Sequence, residues 1–133
     1  MAKKYKWLVI LALVVLAGIF SFFIRLYHND IKVLTDFSAS YEKFDTTISD
    51  FSANKTDDLK SRATNALIEL TAKANFRISS LIKNDPEIMN QARTVADFAG
   101  KELDALVNGP TKEYNDLTTQ RKTTYAHFQE LSK

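Results

Sequence analysis

Residues 7–51 read "WLVILALVVLAGIFSFFIRLYHNDIKVLTDFSASYEKFDTTISDF", and two hydrophobic patterns meet inside that stretch. The first, Trp7 to Ile24, is 18 residues without a charged side chain. At 1.5 Å per helical residue it extends about 27 Å, close to the hydrocarbon thickness of a bilayer. The second places Leu34, Phe37, Tyr41, Phe44, Ile48 and Phe51 at spacings of 3, 4, 3, 4 and 3, the heptad alternation of a coiled-coil-like helix with one buried seam. Nothing between Arg25 and Leu34 breaks a helix. The spacing therefore predicts a helix that grows out of a membrane segment into an extramembrane domain.

The flanks of the apolar run support a retained anchor. Lys3, Lys4 and Lys6 precede it, Trp7 and Tyr27 stand at its two ends like an aromatic belt, and Arg25 can snorkel to the headgroups. A cleaved signal peptide has an apolar region of about 7–15 residues before a small-x-small site. Here Ala17-Gly18 is the small pair, and "IFSFFI" continues the run past it. The "VLAGI" stretch resembles a lipoprotein cleavage box, but Ile19 stands where the lipidated cysteine belongs. Residues 1–26 are expected to be a signal-anchor with a transmembrane helix over about 7–24, and residues 27–133 the domain it holds. Lysines before the span outnumber basic residues just after it, so the N-terminus is expected in the cytoplasm and the domain on the periplasmic or extracellular side. Ala17 and Ser21 form a small-xxx-small pair, which reads either as a helix contact or as ordinary lipid-facing residues.

Charge and composition narrow the function classes. The net charge of +2 comes from the anchor: without Lys3, Lys4, Lys6 and Arg25, 14 basic side chains face 16 acidic ones, a net of −2. A weakly acidic domain carries no electrostatic footprint for nucleic acid. With no cysteine there is no disulfide framework, thiolate metal site or cysteine nucleophile. Three glycines and two prolines in 133 residues suit a chain that is mostly helical.

Beyond "SANKT", Thr56 is placed to cap a second helix with Asp57 and Asp58 in its first turn. Leu59, Ala63, Leu67, Leu70, Ala74, Ile78 and Leu81 form its stripe, with Lys83 in the last turn. In "NDPE", Asp85 is the expected N-cap and Pro86 the first residue of a third helix carrying Ile88, Ala92, Val95, Ala99, Leu103 and Leu106. "NGP" ends that helix, with Gly109 as left-handed terminator and Pro110 opening a fourth helix that carries Tyr114, Leu117, Tyr125, Phe128 and Leu131. Helices over about 27–52, 57–83, 86–107 and 110–132 joined by short links predict an all-α antiparallel up-down-up-down four-helix bundle. The net charges of residues 30–52, 57–84, 85–108 and 110–133 are −3, +2, −3 and +1, an alternation that suits neighbours in a ring. Gly100 with Ala92 and Ala96 makes a small stripe that reads as close helix contact or a kink, and Phe76 and Phe98 lie off the seams as candidates for exposed contacts.

Candidate chemistry is sparse. His28 belongs to the membrane surface, and His127 with Glu130 inverts the order of the Glu-x-x-His element of di-iron bundles, so no metal or other cofactor is expected. There is no Gly-rich phosphate loop, HExxH motif or Ser/His/Asp set, and no catalytic residues are assigned. Arg121 stands out because it falls on the apolar seam of the fourth helix. By helical rise it is level with Tyr41, Thr71 and Phe98. A polar layer of Arg121, Thr124, Thr71 and Tyr41 would fix helix register or bind a small anion. The plainer reading has Arg121 leaning outward to an exposed carboxylate.

These features lead to the expectation of a non-catalytic, single-pass accessory or assembly subunit that mediates protein–protein interaction at the membrane, touching lipid and a larger membrane complex or further copies of itself, with the loops at 52–56 and 108–110 as first docking candidates. The span-plus-bundle layout resembles the outer part of bacterial chemoreceptors and sensor kinases, which implies an extracytoplasmic sensor or small-ligand module as the alternative. In those receptors the last helix enters a second span, and no second apolar run follows within these residues. The opening helix also resembles a pilin's in outline, which implies self-assembly, but it lacks the acidic residue and cleavage motif of that family.

Overall fold

The computed structural model describes residues 2–78 and 86–132. Among these the protein is all-helical, with α1 Ala2–Ala53, α2 Asp57–Ala74, α3 Pro86–Asn108 and α4 Thr111–Leu131. The two patterns of the opening stretch share one helix: α1 is 52 residues without a break, roughly 78 Å long. It is long and apolar enough near its N-terminus to cross a membrane, and none of that apolar segment is buried against the rest of the chain. Side chains from Tyr5 to Arg25 stand open, Trp7 at 73% and Phe20 at 67% exposure.

The second half of α1 does the packing. Phe37, Tyr41, Phe44, Ile48 and Phe51 are all buried, and Leu34 is half-buried against the same core. From the other helices come chiefly Ala63, Leu70, Ile88, Val95, Leu103, Tyr125 and Phe128. α1 packs on α2, α2 on α3 and α3 on α4, and α1 also touches α3. Lys43 meets Glu69 at 3.0 Å and Asp36 meets Lys73 at 4.0 Å, so α1 and α2 run in opposite directions. The α1–α4 pairs Asp45 with Arg121, Tyr41 with Tyr125 and Phe37 with Phe128 show the same opposed order. The α1–α4 pairing is unlike the others. No α1 Cα lies within 8 Å of an α4 Cα among the described residues, so only long side chains span it.

Several sequence expectations need correcting. α2 ends at Ala74, not near residue 83. Asn75 closes it: its side chain donates to the Thr71 carbonyl at 3.2 Å and its backbone N–H to the Ala72 carbonyl at 3.4 Å. Continued helix would carry Phe76 off the Leu70/Ala74 face. Ending the helix lets that ring turn inward to 7% exposure, 6.0 Å from Phe37 and 6.4 Å from Phe128, so Phe76 is core and not an exposed contact. Ile78 is half-buried beyond the helix, while Leu81, Lys83 and Asp85 lie outside the described residues. Phe98 is half-buried. Gly109 does not end α3 in a left-handed conformation, since no described residue has a positive φ. Its N–H donates to the Ala105 carbonyl at 2.8 Å, and a Cβ there would stand 2.9 Å from the Ala105 Cα. Glycine is needed for closeness. Pro110 is the extended N-cap of α4, which begins one residue later than expected. The Thr56 cap forms as read, its hydroxyl accepting from the Leu59 N–H at 3.2 Å.

Gly100 marks neither a close contact nor a break. α3 runs unbroken through it, and a Cβ at that position meets nothing within 4 Å. Gly100→Ala is therefore expected to raise stability by about 0.5–1 kcal/mol, by removing backbone freedom from the unfolded chain without a clash. Urea unfolding followed by circular dichroism checks it.

A buried arginine network as the candidate functional site

Arg121 does not lean outward. Its side chain is 1% exposed, among the most deeply buried in the protein. Tyr125, Phe128 and Tyr114 on the same face of α4 are also buried, and this aromatic stripe carries the guanidinium into the interior. A charge there must find opposite charge and hydrogen-bond partners. α3 supplies Glu102, which is 0% exposed. Arg121 Nε donates to Glu102 Oε2 at 2.5 Å and Nη2 to Oε1 at 3.2 Å, a two-point pairing. α1 supplies Asp45, whose Oδ1 accepts from Nη2 at 2.8 Å while 40% of the side chain stays exposed. The Thr118 hydroxyl lies 2.6 Å from Glu102 Oε1 and 2.9 Å from the Tyr114 carbonyl.

Aromatic rings wall the network on the α1 side. The guanidinium carbon is 5.2 Å from the Tyr41 ring centroid and 5.4 Å from that of Phe44, within cation–π range. Tyr41 stacks on Tyr125 at 3.5 Å with 12° between the planes. Burial works against the charge of Arg121, but the hydrogen bond and charge of Glu102, with Tyr41 and Asp45, outweigh it and hold the pKa above the ordinary arginine value. Burial likewise opposes ionisation of Tyr41, whose pKa is pushed up to about 12 against the lowering effect of Arg121.

That shift has a consequence at high pH. An unfolded tyrosine titrates near 10, so the native state favours the protonated phenol. The stability it contributes is complete below pH 10 and lost as pH rises through about 12. Tyr41→Phe should flatten that alkaline fall relative to the unmodified chain, as measured by urea midpoints across the range.

Of the residues expected in a polar layer, the structure joins Arg121 to Tyr41 and leaves the two threonines out. Thr71 is exposed and its hydroxyl donates to the Leu67 carbonyl at 2.9 Å, while that of Thr124, half-buried, donates to the Gln120 carbonyl at 2.8 Å. Both bond one turn back along their own helix, as threonine does when no other acceptor is near. The residues missed were Glu102, Asp45 and Thr118. Glu102 had a signal in the sequence: it follows Ile88 and Val95 at seven-residue spacing, an acid on an apolar seam opposite an arginine on another. Asp45 had none, being one residue off its seam.

Lys3, Lys4 and Lys6 lie exposed in the first turns of α1. Trp7 and Tyr27 bracket the apolar stretch at 73% and 51% exposure, with Arg25 also exposed. His28 and His127 are exposed, and among the described residues no acidic, histidine or cysteine group is arranged to hold a metal. No protein family, curated relative or solved structure matches the chain. Its geometry alone carries the reading. Two carboxylates around one guanidinium leave the centre net negative, so a small anion would meet repulsion and have to displace a carboxylate. What the arrangement does is tie α1, α3 and α4 together at one level.

Proposed function

We propose that this chain is a non-catalytic, single-pass membrane-anchored accessory or assembly subunit whose bundle engages other proteins at the membrane. The supporting observation is α1 itself, which runs unbroken from an unburied apolar segment into the core of a packed helical domain. A helix uncovered over that length needs lipid or protein around it. In this reading residues 1–26 anchor the protein, the N-terminus is cytoplasmic by the lysine bias, and the bundle stands on the extracytoplasmic side. The helices form an up-down-up-down antiparallel bundle, a topology favoured by the opposed pairings of α1 with α2 and with α4. Its tip, away from the membrane, carries a shallow groove between the connecting loops, lined by Ser52, Lys55, Gly109, Thr111 and Asn115, which suits a docking protein.

In-cell crosslinking of the tagged full-length protein, followed by mild-detergent purification and mass identification, tests this. Stoichiometric recovery with one larger membrane complex is the expected result. Recovery alone overturns the accessory reading, and a ladder of this chain alone replaces it with self-assembly.

A further inference from the structure

The four sides of the bundle are not equivalent, and the difference falls on the helix that enters the membrane. Three sides bring neighbouring helices into close backbone contact. Across α1/α4 no Cα pair comes within 8 Å among the described residues. Ordinary packing sets helix axes about 8–10 Å apart, so this side is held open by what lies between. Four aromatic side chains and one ion pair fill it: Phe37 against Phe128 at 4.8 Å, Tyr41 on Tyr125 at 3.5 Å, and Arg121 on Asp45 at 2.8 Å.

The polar network divides unequally across that seam. On the α3 side Glu102 is fully buried, takes two bonds from Arg121 and lies 2.6 Å from the Thr118 hydroxyl. On the α1 side one bond reaches Asp45, which already meets solvent. Separating Arg121 from Glu102 would strand a buried carboxylate, whereas releasing Asp45 returns a half-hydrated group to water. Arg121 Nη1 and Tyr125 Oη, both on α4 beside the seam, are buried without hydrogen-bond partners among the described residues. Widening the seam would hydrate both and offset part of the loss of packing.

We propose that the bundle opens along the α1/α4 seam, with the α3–α4 hairpin moving as one piece, Arg121 staying on Glu102, and the Arg121–Asp45 bond acting as the latch. Opening uncovers Phe37, Tyr41, Tyr125 and Phe128 beside the anchoring helix. The opening does not rest on the subunit reading above.

The chain has no cysteine, so label pairs can be introduced cleanly. Ser49→Cys with Gln120→Cys, both exposed, spans the seam, and Lys101→Cys with Thr119→Cys, also exposed, lies within the α3–α4 hairpin. Spin-label distances are measured on the full-length protein in lipid nanodiscs, with and without Asp45→Asn. Circular dichroism establishes that each variant is folded. The expected result is a longer-distance population for the seam pair that grows about fivefold relative to the closed one in Asp45→Asn, with the hairpin pair unchanged. A single seam distance unaffected by Asp45→Asn overturns the latch, and equal broadening of the hairpin pair overturns movement as one piece. Either failure leaves the co-purification result untouched, so the two proposals fail separately.

Discussion

Arg121→Met is expected to destabilise the bundle by about 3–5 kcal/mol, the largest effect of any single polar substitution in the protein. The loss does not come from the guanidinium's attractions alone. Glu102 is 0% exposed and would be left buried with no partner but the Thr118 hydroxyl. Asp45 would lose little, because it already reaches water. The sharper test is the double variant Arg121→Met with Glu102→Leu, which removes both buried charges and leaves the Thr118 hydroxyl its Tyr114 carbonyl. That pair should recover most of the lost stability and is free to exceed the starting protein. Denaturant unfolding of the full-length chain in detergent micelles, followed by circular dichroism, reads all three. A single variant within about 1 kcal/mol of the unmodified protein, the level of an exposed ion pair, would show that Arg121 is not held as described.

Phe37→Ala should be comparably damaging, at about 3–5 kcal/mol. Phe37 is 0% exposed and packs on Phe128 at 4.8 Å, Phe76 at 6.0 Å and Tyr125 at 6.4 Å, so it joins α1, the end of α2 and α4 in one cluster. The backbones of α1 and α4 are already far apart, which limits how far the site can collapse around the missing ring. Ile48→Val on the same face deletes one methylene and should cost about 0.5–1.5 kcal/mol. Similar losses for both would mean that the aromatic cluster is not what closes the bundle.

The helices were legible where one face is mostly apolar. The alternation from Leu34 to Phe51 located the α1 seam, and Ile88 to Leu106 located that of α3. Propensity and caps also located the start of α2 at Thr56. The end of α2 was not legible, because Ile78, Leu81 and Lys83 extend a helical pattern that Asn75 and Phe76 interrupt for a tertiary reason: the ring gains more by turning into the core than the helix gains by another turn. At the site, the polar residue on an apolar seam marked Arg121. The expectation that it would lean out failed because Glu102 and Asp45 converge on it from two other helices. Convergence of that kind is set by helix rotation, and a one-dimensional pattern carries it only where, as with Glu102, both partners break a seam. The threonines were misread for the opposite reason, since a β-branched hydroxyl in a helix has a carbonyl of its own turn within reach.

The proposed anchoring of a folded bundle by α1 on the far side of a membrane can be tested by labelling, because the chain lacks cysteine. Single cysteines replace Lys4, before the apolar run, and Lys55, at the tip of the bundle, and intact cells are treated with a membrane-impermeant maleimide. The account predicts that the protein stays in the membrane fraction through alkaline extraction, that position 55 labels in intact cells, and that position 4 labels only after permeabilisation. Release into the soluble fraction, or labelling at position 4 and not at 55, would contradict it.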